Sequence, residues 1–380
     1  MKHYSLFALL IFVLSLLFAA DSYASKARMD SLGGEERARY YFDDSRNILI
    51  NPAYINIVKD FLIFEWGNDT DSADSGATGP KGEGGVYKSG DFFIYGIYLG
   101  NEDGHSNRAL ATSGTNSAIL YQDNPVELFI GGNLGNEWGA SIKISQNHDE
   151  QGVKKTQQAL SVKFGTIMKR LEGYVNVNIY DKSLGGVTTS EEFRNDLAAT
   201  AGASYIWSDF IFYSSVASDG HTYRRDDGQK DGRYTTKSLT VGGGRSVQVS
   251  ERAKMFYDLH YIWNESQRDY NTAAAGAGVK DYTHYWKLPI TFGLEVQAKD
   301  WLALRGAISQ TLLSKFYNND KKNRSERNTT NVNSGASLIF GKLKIEGLIG
   351  IGDNAAVTSG KKGVLSLGNV LTRTSITYSF

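Results

Sequence analysis

The chain of 380 residues has no cysteine. That excludes a disulfide framework, a thiolate metal site and a thiol nucleophile. It also excludes a lipid anchor on a cysteine at a cleavage point. Proline is scarce, with four in the whole chain. Charge of one sign is not in excess, because 41 basic residues face 41 acidic ones. A balanced chain argues against nucleic acid as a partner. Beyond the first 24 residues there is no long apolar run, so no transmembrane helix is expected.

The opening stretch MKHYSLFALLIFVLSLLFAADSYA has Lys2 near its start, an apolar run from Leu6 to Ala20, and Ser22-Tyr23-Ala24 before a polar region. This is the layout of a secretory signal peptide cleaved after Ala24. The run is short for a full membrane span. The expected mature chain is Ser25 to Phe380, and its charge stays balanced, since the leader carries one Lys and one Asp. Glycine is abundant at 41, tyrosine at 22 and phenylalanine at 18. Many aromatics with few prolines suit long twisted strands.

Strict alternation shows the strands directly. In WKLPITFGLEVQA, Trp286, Leu288, Ile290, Phe292, Leu294, Val296 and Ala298 form one face, and Lys287, Pro289, Thr291, Gly293, Glu295 and Gln297 the other. In LEGYVNVNIY, Leu171, Gly173, Val175, Val177 and Ile179 oppose Glu172, Tyr174, Asn176, Asn178 and Tyr180. WGASIKIS sets Trp138, Ala140, Ile142 and Ile144 against Gly139, Ser141, Lys143 and Ser145. Such segments are strands with one apolar and one polar face.

Short and long connections take turns. Short links are expected near Ser89-Gly90-Asp91, Gly135-Asn136, Met168-Lys169-Arg170, Ser208-Asp209, Ser250-Glu251, Lys299-Asp300 and Gly341-Lys342. Longer polar stretches such as HTYRRDDGQKDGRY and YNNDKKNRSERNTTN lie between them. Seven short turns alternating with eight longer loops give about sixteen antiparallel strands, with both ends on the short-turn side. The expected fold is all-β: a transmembrane up-and-down barrel with short periplasmic turns and long extracellular loops, in the bacterial outer membrane. Trp138, Trp207, Phe210, Trp301, Phe340 and Phe380 lie at the short-turn end, and Trp66, Trp263 and Trp286 near the long-loop end, as two interfacial girdles would. The expected organisation is a signal peptide over residues 1–24, an N-terminal periplasmic or plug segment over 25–54, and the barrel over 55–380, its first strand running from about Ile55 to Trp66.

The last residues, TSITYSF, put Thr374, Ile376, Tyr378 and Phe380 on one side of a strand that must close the wall. This end resembles the C-terminal assembly signal of bacterial outer-membrane barrels. The resemblance implies that Ile376, Tyr378 and Phe380 are read by the barrel-assembly machinery. A second resemblance lies in LGGEERARYYFDDSRNILINPAYI, where Asp43, Asp44, Asn51, Pro52 and Ala53 are similar to the N-terminal segment of the long-chain fatty acid transporter superfamily. It implies that Ser25 to Tyr54 sits at or inside the periplasmic mouth as a small plug; a simple periplasmic tether is the other reading. Those families usually have fourteen strands.

Residues expected to line the lumen include Lys143, Lys163, Asp258, His260, Lys287, Glu295, Arg305 and Arg373, because each alternates with apolar neighbours. Charges there need water or partners. The leading expectation is a porin-like channel for passive diffusion of small hydrophilic solutes and ions through a wetted lumen. The alternative is a barrel for hydrophobic substrates, like the fatty acid transporters. An enzymatic, structural or adhesive barrel ranks behind both. No G-x-S-x-G, H-E-x-x-H or P-loop pattern occurs, so no catalytic, metal or cofactor site is expected. His260, two residues from Asp258, is the one arrangement resembling a base and its orienter. The acidic loop NDTDSADSG is expected to be a solvated surface loop. Expected partners are membrane lipid and lipopolysaccharide, the assembly machinery and small solutes. The sequence leaves the oligomeric state open.

Overall fold

The computed structural model describes residues 25–33, 38–42, 44–67, 82–101, 119–120, 122–150, 154–186, 190–225, 232–271, 278–318, 323–325, 329–353 and 373–380. The expected signal peptide over residues 1–24, Asp43 and the acidic loop after Gly67 lie outside the described residues. So does the centre of the RRDDGQKDGR stretch.

Strand formation follows the alternation in the sequence. The described residues form eighteen strand segments. They are β1 (Phe61–Gly67), β2 (Gly82–Ser89), β3 (Ile94–Leu99), β4 (Val126–Asn133), β5 (Glu137–Asp149), β6 (Lys155–Met168), β7 (Leu171–Gly185), β8 (Glu191–Asn195) and β9 (Ala198–Trp207). They continue with β10 (Phe210–Arg225), β11 (Gly232–Ser250), β12 (Ala253–Asn271), β13 (Gly278–Lys299), β14 (Leu302–Asn318), β15 (Asn323–Ser325), β16 (Thr330–Phe340), β17 (Leu343–Asp353) and β18 (Arg373–Ser379). β8 and β9 both pair with β7 and β10, and β15 and β16 both pair with β14. Each pair is one interrupted wall strand, so the wall has sixteen strands rather than fourteen.

The ring closes where β1 pairs antiparallel with β18, from Phe61↔Ser379 to Gly67↔Arg373. The last residue extends the seam, since the Phe380 N–H donates to the Asp60 carbonyl at 3.0 Å. Closure matters because an unpaired strand edge in lipid would leave several kcal/mol unmet at each polar group. Tyr378 and Phe380, both exposed, stand on the outer face of this seam.

Every expected short turn is present. Lys169 (φ 47°) and Ser208 (φ 56°) take the left-handed conformation inside two of them without being glycine. The turn over residues 90–93 adds two aromatics the girdle count missed, Phe92 and Phe93. The apolar faces point outward: Ile142 and Ile144 are 48% and 50% exposed, whereas Lys143 between them is 3% exposed. Among the described residues no helix is long and apolar enough to cross a membrane.

Two readings need correction. Residues Pro52–Asn56 form a 3₁₀ turn, and the first strand begins at Phe61, not near Ile55. The Asn51 side chain accepts from the Ala53 N–H, and Pro52 supplies a first-turn φ, so the apolar run starts as a capped turn. In β7 the alternation slips, because a bulge opposite Leu160/Ser161 leaves Ile179 and Tyr180 both exposed.

Candidate functional site

The space inside the wall is occupied by the chain's own N-terminal segment. Residues Lys26–Ser31 form helix α1, capped by the Ser25 hydroxyl, which accepts from the Arg28 N–H. Asn47–Ile50 forms helix α2. Helices this short have little stability alone, so packing must hold them. One apolar cluster joins Ile48, Leu49, Tyr54, Ile55 and Val58 to wall residues Phe61, Ile63, Tyr87, Ile94, Tyr98 and Phe129. A second joins Met29, Leu32, Tyr41 and Phe42 to Tyr213 and Phe256.

The wall is shaped for this contact. Gly131, Gly139 and Gly165 are direct cross-strand partners on β4, β5 and β6. They make a smooth strip, and Asn51-Pro52-Ala53 lies on it. A Cβ at Gly139 would fall on the Pro52 carbonyl, one at Gly165 on the Asn51 side-chain oxygen, and one at Gly131 on the Ile55 methyl, all nearer than 3.0 Å.

Charge fixes the segment further. Arg28 makes a two-pronged contact with Glu295, its Nε and Nη2 each 2.8 Å from a carboxylate oxygen. Arg373 pairs with Asp30. Arg39 lies 3.2 Å from Glu172, which also accepts from the Tyr54 hydroxyl at 2.7 Å. Arg46 bridges Glu65 at 2.7 Å and Glu83 at 2.8 Å. Lys163 donates to the Leu49 carbonyl at 2.7 Å and pairs with Glu127 at 2.8 Å. Buried ions are tolerated only in such mutually compensating sets. Burial pulls the Arg28 pKa down, yet Glu295 and Asp44 outweigh this and hold it above the ordinary arginine value. Burial drives the Asp44 carboxyl from 3.8 up to about 7, against the opposing pull of Arg28.

The residues expected to line a wetted lumen do face inward, but at this level the lumen is packed. Lys143, Asp258, His260, Arg305 and Arg373 are all buried. Asp258 accepts from the hydroxyls of Tyr41 (2.6 Å) and Tyr213 (2.8 Å), and its other oxygen lies 2.7 Å from His260 Nδ1. The apparent base and orienter are therefore part of the lock on Tyr41. Arg305 contacts Glu346 at 2.9 Å and Glu295 at 3.3 Å. Lys287 faces inward by register opposite Ile262. Glu65, Glu127, Lys344 and Glu346 were not singled out in the sequence. Each alternates with apolar residues, in FEWG, VELF and LKIEGL, which is the signal that could have found them.

Higher in the lumen, the end of the connection before β4 also turns inward. Gln122 donates to Asp181 at 2.8 Å, and the Leu120 N–H to Ser183 Oγ at 3.1 Å. Ile119 packs on Phe193 and Tyr223.

A closed antiparallel ring with an apolar exterior and an ionic, polar interior defines a membrane-spanning β-barrel of the outer-membrane type. No protein-family model and no curated protein matches the chain. Among solved structures, it is similar to a TodX mutant monoaromatic hydrocarbon channel (11% identity, TM-score 0.40, covering 95% of this chain and 100% of that one). It is likewise similar to the CymD monoaromatic hydrocarbon channel (9%, 0.36, 96% and 99%) and to the Ralstonia pickettii toluene transporter TbuX (10%, 0.33, 95% and 99%). Likenesses this distant carry no functional argument; the class rests on the wall itself.

Proposed function

We propose that this protein is an outer-membrane transport barrel held closed by its N-terminal segment acting as a plug, with passage requiring the plug to move. The observation that carries this is the insertion of the described residues between 25 and 58 into the lumen on a glycine strip and a ring of ion pairs. A permanently open pore would need none of this apparatus. Above the plug, Ile119, Phe193 and Tyr223 form an apolar cluster beside His221 and Tyr234. That lining suits a small amphipathic or aromatic solute, which favours the hydrophobic-substrate reading. Passive passage of small hydrophilic solutes is the second reading, favoured by the inward row Ser145, Gln157, Asp181 and Ser183.

Planar-bilayer recording of the purified full chain tests the plug. The intact protein should show no steady conductance, and removal of residues 25–58 behind an intact leader should produce it. Steady conductance of the intact chain, equal to that of the truncated one, would overturn the proposal. Should the truncated chain fail to insert, the double substitution Gly139→Ala with Gly165→Ala serves as the opening variant.

A further inference from the structure

We infer that the outer face of the wall around β7, β8 and β10 carries a binding site for the phosphorylated head of lipid A, the glycolipid of the outer leaflet. The wall is dented there by two irregularities. One is the bulge at Ile179; the other is the break between β8 and β9 at Asp196-Leu197. Between them lies a cavity of about 350 Å³ lined by Ile179, Leu197, the carboxylates Glu192 and Asp196, and the guanidinium groups of Arg194 and Arg224, among others.

Its height fits a headgroup. β7 rises from the periplasmic end at Leu171. With a rise of ~3.3 Å per residue and a tilt of ~40°, Ile179 stands about 20 Å up and Lys182 about 28 Å up. The apolar band of such barrels is about 25 Å tall. Ile179 and Leu197, 51% and 70% exposed, therefore offer apolar surface to acyl chains, while the cations sit just above.

The charge arrangement calls for an anion. Lys182 lies directly opposite Arg194, and Arg224 opposite Glu192 in the next row. Like charges directly opposed across strands are destabilising. Glu192 is engaged by Lys182 at 2.8 Å, and Asp196 by Arg233 at 2.9 Å. Among the described residues, no carboxylate pairs with Arg194 or Arg224. Two planar guanidinium forks beside an apolar floor match phosphate on a lipid, because arginine binds phosphate through two parallel bonds.

The test is titration of the purified full chain in detergent with bis-phosphorylated lipid A, followed by native mass spectrometry. Arg194→Gln with Arg224→Gln should weaken binding about tenfold or more, each lost charged contact being worth roughly that factor. The variant must keep heat-modifiable gel migration. Arg252→Gln with Lys342→Gln at the opposite end should change nothing. Arg224→Lys, which keeps charge and fold but loses the fork, should bind more weakly than the native chain. Dephosphorylated lipid A should bind weakly to all forms, and inorganic phosphate should compete poorly. Native-strength binding by the double glutamine variant, or phosphatidylglycerol binding as tightly as lipid A, would overturn the inference.

Discussion

Adding single methyl groups to the glycine strip should unseat the plug while leaving the wall intact. Gly139 and Gly165 face inward in adjacent strands, and their missing side chains are the space that Asn51 and Pro52 occupy. Neither wall backbone can retreat without breaking its ladder. An alanine at each must therefore push the segment away. Overpacking a tight contact costs about 1–3 kcal/mol per added group. Two such groups cost about 2–6 kcal/mol. At a factor of ten per 1.4 kcal/mol, the undocked fraction should rise between about thirtyfold and more than ten-thousandfold. Ser45→Cys is a near-isosteric reporter in a chain with no other thiol, since Ser45 is buried at 4% exposure. Its maleimide labelling should be slow in the native background and fast in the Gly139→Ala, Gly165→Ala background. Heat-modifiable migration checks that the barrel is folded. Unchanged protection of the reporter in a folded double variant would refute the seating argument.

Acidity should act on the same plug through Asp44. Its pKa in the docked state, about 7 against an ordinary 3.8, means the docked form holds the proton more tightly. The Asp44 contribution to docking should be fully present below about pH 3.8, fall steadily as pH rises from there through about 7, and level off above it. Asp44 faces Arg28, the Arg46 N–H, Glu65 and Glu346, so burial and two like charges oppose its ionisation. Asp44→Asn should flatten the profile, with labelling of the Ser45→Cys reporter at pH 5 and pH 8, normalised to a free thiol, as the measurement; a variant as pH-dependent as its parent would remove Asp44 from this role. Tyr378→Asp with Phe380→Asp should abolish insertion, since it places two charges on the outward face of the seam; normal heat-modifiable protein in outer-membrane fractions would contradict this. On intact cells, a bulky impermeant maleimide should label Glu150→Cys, in the β5–β6 connection at the end opposite the short turns, but not Asp300→Cys, in a short turn, and the reverse would invert the assigned topology.

The wall was legible because two environments enforce the same alternation. Lipid outside and crowded polar groups inside both punish a slipped register, so Ile142, Lys143 and Ile144 report their sides unaided. Alternation says which side a residue faces but not what it meets. Glu295 could be placed inside, yet its partner Arg28 lies 267 residues away, and Asp30 and Arg373 are separated by 343. Nothing local encodes such pairs. The glycine strip was hidden for the same reason: Gly131, Gly139 and Gly165 become one surface only when three strands are in register. Ile55 was misread because an apolar run after Asn-Pro can serve a capped turn as well as a strand.

The seam between β1 and β18 is a short ladder of seven residues on each strand. The segment inside the lumen grips both of its sides: the Lys26 backbone N–H donates to Glu65 on β1, Arg46 pairs with the same carboxylate, and Asp30 pairs with Arg373 on β18. The wall is thus stitched from within across the one junction that sequence-adjacent hairpins do not secure. Freeing the passage and loosening the ring's clasp draw on the same ion pairs, so permeability and mechanical strength of this barrel are coupled quantities.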